Sequence, residues 1–271
     1  MLQIEKIESL DIPELIPYRT MRRQSEHEAQ GIFVAEGEKV VRRLLESSFT
    51  VVSVLLPEKW LRLLKPLLLT RPEPVRAFVA EKELLETLTG FSMYQGLLAV
   101  GKIPARRSLE EILAHNTRPR LLAAADGLSS AENLGALVRN CAAFDVQALV
   151  VGETSASPFL RRAVRISMGT VFQLPIVESQ VLSETLCGLR RRGVRCFAAH
   201  PHAKGRSLSF ADFSGDCCIA FGSEGYGLSP NVLAACDEAI AVPMPATVDS
   251  LNVGSAAAVF LYEVSRQRGK M

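Results

Sequence analysis

The sequence predicts an α/β protein with a larger C-terminal domain, built on a mainly parallel sheet with helices on both faces, and a smaller N-terminal α/β domain. Three observations carry this. From Leu121 onward, almost purely apolar runs (LLAAAD, VQALVV, VRCFAA, CCIAF, AIAV) alternate with helical segments, which is how strands buried on both faces read. Residues 1–105 form a separate compositional block that holds none of the six cysteines. Between the two, Ile103 to Arg120 carries two prolines and Arg106, Arg107, Arg118 and Arg120. The expected domains are therefore 1–105, a linker at 106–119, and 120–271.

In the first domain, IPELIPYRTMRRQSEHEAQ reads as a polar helix bearing Arg19, Arg22 and Arg23. FVAEGEKVVRRLLES gives an apolar pair, a glycine, and then a helix. Val40, Val41, Leu44 and Leu45 share one side of it and Lys39, Arg42 and Arg43 the other. TVVSVLLP, VRAFVA and GLLAVGK read as strands separated by helical segments. Glu26, Glu28, Glu36, Glu38 and Glu46 accompany the arginines, so a solvated face accounts for any single cluster.

The second domain opens with the strand LLAAADG. Helical periodicity follows from Asn133, with Leu134, Leu137, Val138 and Cys141 on one face and Arg139 off it. Asp145 takes the left-handed position expected after that helix. VQALVVG is the next strand, then a helix with Arg161, Arg162 and Arg165, then the strand-like VFQLPIV. LSETLCGLRRRG is a helix ending at Gly193, where Arg190 to Arg192 suit the helix dipole. VRCFAAH, CCIAF and AIAVP are strands, and SAAAVFLYEVSRQ closes the chain as a helix.

Several function classes drop out. No apolar run approaches the ~20 residues that span a bilayer, and MLQIEKIESL has no signal-peptide core. The cysteines include no CxxC pair, so zinc and a disulfide framework give way to reduced thiols in a cytoplasmic protein. A net charge of +2 leaves a nucleic-acid partner open, because a basic patch does not need a basic total.

The candidate site lies in two stretches. FGSEGYGLSP follows CCIAF and carries Gly222, Gly225 and Gly227, and Ser250-Leu251-Asn252 runs into the closing helix. Loops at the ends of neighbouring strands point to one ligand site, and glycine lets backbone approach a ligand. GSEGYG has the wrong spacing and comes too late for a dinucleotide loop. A Walker motif and a G-x-S-x-G elbow are both missing. His200-Pro201-His202 lacks an obvious third metal ligand. What remains is a polar set: Asn133, Arg139, Glu224, Ser250 and Asn252. Each has an ordinary role by itself: Asn133, Ser250 and Asn252 as helix caps, Arg139 as a surface charge, Glu224 as a solvated acid. Their joint occurrence beside the glycine loops is the signal.

In NLGALVRNCAAF (133–144), FGSEGYGLS (221–229) and IAVPMPATVDSLNVGSAAAV (240–259), the chain resembles the SpoU-type (TrmH-like) RNA ribose 2′-O-methyltransferases of the SPOUT superfamily. SPFLRRAVRISMGTVFQLPIV resembles the family's intervening segment. FVAEGEKVVRRLLES and YQGLLAVGK resemble its accessory RNA substrate-binding domain. The resemblance implies an S-adenosylmethionine enzyme, a homodimer, and a deep trefoil knot in the C-terminal domain. Nothing else in the sequence leads to the knot, since threading is almost absent from folds. It further implies that the cofactor lies on Gly222, Val242 and Leu251, with Ala199 and Met244 nearby. Asn133, Ser250 and Asn252 would position the ribose and arrange the loops.

The family proposal makes the residue matching Arg139 a base. A guanidinium pKa above ~12 sits badly with that. A bidentate clamp on the adjacent RNA phosphate suits Arg139 better, with Glu224 or solvent nearer the proton. The expected partner is structured RNA, ribosomal favoured over transfer RNA because of the accessory domain, with no metal and no membrane. A catalytically silent RNA-binding or ribosome-assembly factor is the alternative. A methyltransferase acting on a small molecule or protein fits the arginine clusters less well. The chain departs from the family pattern at Ser129-Ser130-Ala131-Glu132, Asp145 and Pro245-Ala246, none of which removes a residue assigned to catalysis.

Overall fold

Strands β1 (Leu2–Lys6), β2 (Ile32–Glu36), β3 (Val51–Leu56), β4 (Val75–Val79) and β5 (Leu98–Lys102) form one sheet in the order β1-β4-β3-β5-β2. The computed structural model describes residues 1–88, 96–115, 117–203 and 206–270. Tyr94 and Gln95 of the accessory-domain block lie outside the described residues. Strands β1, β4 and β3 run parallel, and β5 is antiparallel to β3 and β2.

The three strands read from sequence are β3, β4 and β5. Two more escaped. β1 is an edge strand with four of its five residues exposed, and β2 is a five-residue run whose apolar part is shorter still. The long polar helix expected over residues 12–30 is broken up. It divides into a 3-10 turn, Pro13–Leu15, and two short helices, Ile16–Arg19 and Gln24–Ala29. Pro13 and Pro17 both sit at the first positions of an element, where the ring is tolerated, and so start new segments. Leu15, Tyr18 and Met21 are buried, and the Tyr18 hydroxyl shares a 2.7 Å hydrogen bond with Ser53.

Contacts divide the chain into two compact units, residues 1–105 with 159–172, and 106–158 with 173–271. The segment 159–172 therefore completes the first unit. Phe33, Phe49, Phe159 and Phe172 cluster with ring centroids 5.4–6.1 Å apart. Gly101 makes room for this cluster, since a Cβ there would lie 2.5 Å from the Phe33 ring. Arg161 and Arg165 pair with Glu36 at 2.5 and 3.3 Å, and Arg43 donates to the Met168 carbonyl at 2.7 Å.

In the second unit, β6 (Leu121–Asp126), β7 (Ala148–Val151), β8 (Ile176–Glu178), β9 (Arg195–Ala199), β10 (Cys217–Gly222) and β11 (Glu238–Ile240) form a sheet in the order β11-β9-β10-β6-β7-β8. Every strand pair in it is parallel. Alternate residues serve opposite faces. Leu122, Ala124, Cys196, Ala198, Cys218 and Ala220 pack with Leu113, Leu186, Leu189 and Val232 from three helices. On the other face Phe221 meets Phe260 of helix Val253–Gln267 edge-on at 5.9 Å. The thiols behave as small hydrophobes, all six free. Burial pushes Cys217 and Cys236 up to about 12.

The Asp145 backbone has φ +57°, as its place after the helix requires. Arg192 donates to the Gly188 carbonyl at 3.3 Å and Arg190 pairs with Asp237 at 2.7 Å. These two arginines at the helix end therefore have structural partners. After β8 the chain crosses to the far side of β6, lays down β9, and then inserts β10 between β9 and β6. The carboxyl ends of β9, β10 and β11 become neighbours there, and the candidate residues follow from those ends.

Candidate active site

β10 stops at Gly222, in register with Asp126 of β6. Ser223 and Gly227 then exchange backbone hydrogen bonds at 3.0 and 2.9 Å, leaving Glu224, Gly225 and Tyr226 at the tip of a tight turn. The chain folds back so closely that a Cβ on Gly222 would lie 2.2–2.3 Å from the backbone of Gly227 and Leu228. Gly227 itself has φ +67°, a conformation glycine adopts without steric cost. Beyond the turn, buried Asp126 accepts the Ser229 amide at 2.6 Å. The loop is thus fastened at both ends to the sheet.

The second loop ends where Asn252 caps helix Val253–Gln267, its Oδ1 accepting the Gly254 amide at 2.9 Å. Gly254 allows close approach of helix Ala131–Ala143, because a Cβ there would be 2.9 Å from that of Ala136. Asn140 secures the contact by donating to the Gly254 carbonyl at 2.5 Å. Asn133 does not cap its helix. That role falls to Ser130, which accepts the Asn133 amide at 3.4 Å and frees the Asn133 side chain.

The Asn252 amide nitrogen then joins the two loops and the helix. It donates to Asn133 Oδ1 at 3.0 Å and to Glu224 Oε1 at 2.5 Å. One side chain thus caps a helix with its oxygen and holds two other candidates with its nitrogen. Three of the five polar candidates meet here. Ser250 lies close by, in the lining of the adjoining cavity. Arg139 is not bonded into this cluster: six positions at about 100° each turn it roughly 240° from Asn133 around the helix. It is exposed and makes no side-chain hydrogen bond or ion pair among the described residues.

The cavity measures ≈ 370 Å³, within the range of small-molecule sites. Ala199, Gly222, Val242, Met244 and Leu251 all line it, as does Glu224. Phe221, Leu228, Ile240 and Phe260 supply apolar wall, while Glu224 and Asp249 are its carboxylates. Among the described residues its lining includes no lysine or arginine. His200 and His202 also line it, 6.0 Å apart between ring centroids. No group of three or more metal-ligating side chains occurs among the described residues.

Sequence reading missed Asp126, Asn140 and Gly254 as parts of this arrangement. Asn140 was within reach of it, because seven positions bring it back to the Asn133 face of the helix. The Asp126 bond to Ser229 spans 103 positions and leaves no local pattern.

Residues 120–262 match the model of the SpoU rRNA Methylase family. The chain belongs to that family. The SpoU match spans all ten candidate residues, and its span runs from the residue before β6 to well inside the closing helix. The chain is accordingly an RNA methyltransferase. It is 32% identical over 98% of its length, and 93% of the relative's, to an uncharacterized tRNA/rRNA methyltransferase of Mycobacterium tuberculosis. It is 30% identical over 76% of its length, and 85% of the relative's, to the 23S rRNA (guanosine-2′-O-)-methyltransferase RlmB of Acinetobacter baylyi. Among solved structures, an RNA 2′-O ribose methyltransferase superposes with a TM-score of 0.79 at 26% identity over 99% of both chains. The AdoMet-bound rRNA methyltransferase of Sinorhizobium meliloti shares the fold, with a TM-score of 0.83 at 22% identity over 97% of this chain and 98% of that one. No helix among the described residues is long and apolar enough to cross a membrane.

Proposed function

We propose that this SpoU protein methylates a ribose 2′-hydroxyl of ribosomal RNA, with S-adenosylmethionine as the methyl donor. The observation that carries the reading is the Asn252 bridge, which ties Glu224 of a glycine-bordered cavity to Asn133 of the neighbouring helix. The cavity suits the cofactor chemically. Its apolar walls match a purine, the loop backbones at Gly222, Val242 and Leu251 offer hydrogen-bonding edges, and the carboxylates at its mouth tolerate a cation. When bound, S-adenosylmethionine supplies an electrophilic methyl group on a sulfonium.

The chain's own residues do the positioning, from which much of the rate of an in-line transfer derives. Asn252 fixes one oxygen of Glu224 and leaves the other to accept a hydrogen bond from the ribose hydroxyl, a poor nucleophile without such help. Ser250 lines the same cavity, and Asn133 is tied to Glu224 through Asn252. Arg139 clamps the neighbouring phosphate with its two-pronged guanidinium. Arg139 makes no hydrogen bond or ion pair to Glu224 within its own chain, and a homodimer that supplies it from a second copy completes the site. Residues 1–105 serve as the accessory RNA-binding domain and 120–271 as the methyltransferase domain, the latter threaded as a trefoil knot. The late insertion of β10 between β9 and β6 is compatible with that threading. Ribosomal RNA is favoured by the relative that bears a 23S name.

Ribose methylation mapped in total RNA from a strain lacking the gene, against its parent, is expected to show one lost site in ribosomal RNA. A lost site in transfer RNA would redirect the substrate, and no loss together with no calorimetric S-adenosylmethionine binding would make the protein a silent RNA-binding factor. Arg139→Lys keeps the charge and loses the fork, so kcat/KM for RNA is expected to fall about 10- to 100-fold, the worth of a charge-assisted hydrogen bond. Activity near wild type would remove the clamp from the mechanism.

A further inference from the structure

Tyr226 stands out among the residues that line the cavity. The residue is 98% exposed, although it sits at the tip of a turn closed by two reciprocal backbone bonds between Ser223 and Gly227. Its own amide donates to Ser223 Oγ at 3.2 Å. A large aromatic ring is therefore held in water on a rigid support. The other aromatic rings of the lining, apart from the histidines, are Phe221 and Phe260, and both are buried. Phe210 is nearly as exposed, at 88%, but does not line the cavity.

We infer that Tyr226 is the stacking platform for the base of the nucleotide whose ribose is methylated, an inference that rests on the reading of the site as a ribose methyltransferase. Tyr226 is two residues from Glu224, so no more than about 7 Å of backbone separates them. A nucleotide whose 2′-hydroxyl meets Glu224 carries its base on the same sugar, within reach of that ring. A ring held exposed on a rigid turn beside the cavity offers a flat face on which an unstacked base can lie. Stacking tolerates any base, because each has a π-face, so Tyr226 would position the nucleotide and leave its identity to other contacts. The hydroxyl of Tyr226 has no part in this.

The test measures methyl transfer to total RNA from a strain lacking the gene, with S-adenosylmethionine affinity and oligomeric state followed in parallel. Tyr226→Ala is expected to lower kcat/KM for RNA about 5- to 150-fold, mainly through KM, the range that loss of one stacked base spans. Its cofactor affinity and oligomeric state should match wild type. Tyr226→Phe and Tyr226→Trp should restore kcat/KM to within about threefold, since each keeps a ring. The role is overturned if Tyr226→Ala leaves kcat/KM unchanged, or if Tyr226→Phe fails as badly as Tyr226→Ala. It is equally overturned if the alanine variant loses cofactor affinity, which would make Tyr226 a cofactor wall, or changes oligomeric state, which would make it a subunit contact. Wild-type protein that methylates no ribose would sink the reading of the site, and Tyr226's role with it. An active wild type with an unimpaired alanine variant would sink the stacking role alone.

Discussion

Replacing Gly222 by alanine is expected to lower the affinity for S-adenosylmethionine by at least about 100-fold, about 2.7 kcal/mol. A Cβ at this position would lie 2.2–2.3 Å from the backbone of Gly227 and Leu228, and backbone cannot swing aside as a side-chain end can. The turn would have to open, breaking the exchange between Ser223 and Gly227 and displacing the cavity wall. Overpacking of this kind costs typically about 1–3 kcal/mol, a loss a folded domain can survive. Calorimetry with the cofactor beside a thermal melt checks both halves. A variant that binds normally would mean the cofactor does not depend on this wall. Gly225→Ala is the control, because a Cβ there meets nothing within 4 Å.

The second large effect is expected at Asn252. Asn252→Asp keeps the oxygen that accepts the Gly254 amide, so the helix cap and the melting temperature should hold. It removes the nitrogen that donates to Asn133 and Glu224 and sets a second carboxylate against the first. Removing one preorganised donor from a catalytic site costs about 10²–10³ in kcat, and repulsion adds to that here. Asn252→Ala should lose activity similarly while also losing about 1 kcal/mol of stability with the cap. The pair separates the two jobs of one side chain. If Asn252→Asp turned over at the wild-type rate, its nitrogen would have no part in catalysis.

Both residues were visible in the sequence, for different reasons. Gly222 was legible because a strand running into three closely spaced glycines has few other uses. Asn252 was legible as one of the polar residues beside the glycine loops and as one of two able to cap a helix, but not as a bridge, since its contacts to Glu224 and Asn133 span 28 and 119 positions. The parallel sheet of the second unit announced itself through unbroken apolar runs. β1 did not, because an edge strand with four of five residues exposed lacks the apolar content by which strands are recognised. The broken helix after it reads as continuous because its many polar residues mask the breaks at Pro13 and Pro17 and the buried Leu15, Tyr18 and Met21. A helix cap was the ordinary role open to Asn133, because helical periodicity is legible only from that residue; the cap is Ser130, ahead of a helix that begins at Ala131.

The return of residues 159–172 to the first unit sets a timetable for biosynthesis. When Ala105 has left the ribosome, all five strands of the first sheet exist, but Phe33 and Phe49 still lack the rings of Phe159 and Phe172, and Glu36 lacks both of its arginines. At about 5–20 residues per second, the missing segment arrives roughly 3–13 s later. Throughout that interval the nascent sheet presents an unfinished aromatic surface, the kind of transient exposure that favours aggregation. Where the chain is cut therefore matters as much as where it folds: a fragment ending at Ala105 keeps every strand of its sheet and lacks part of its core.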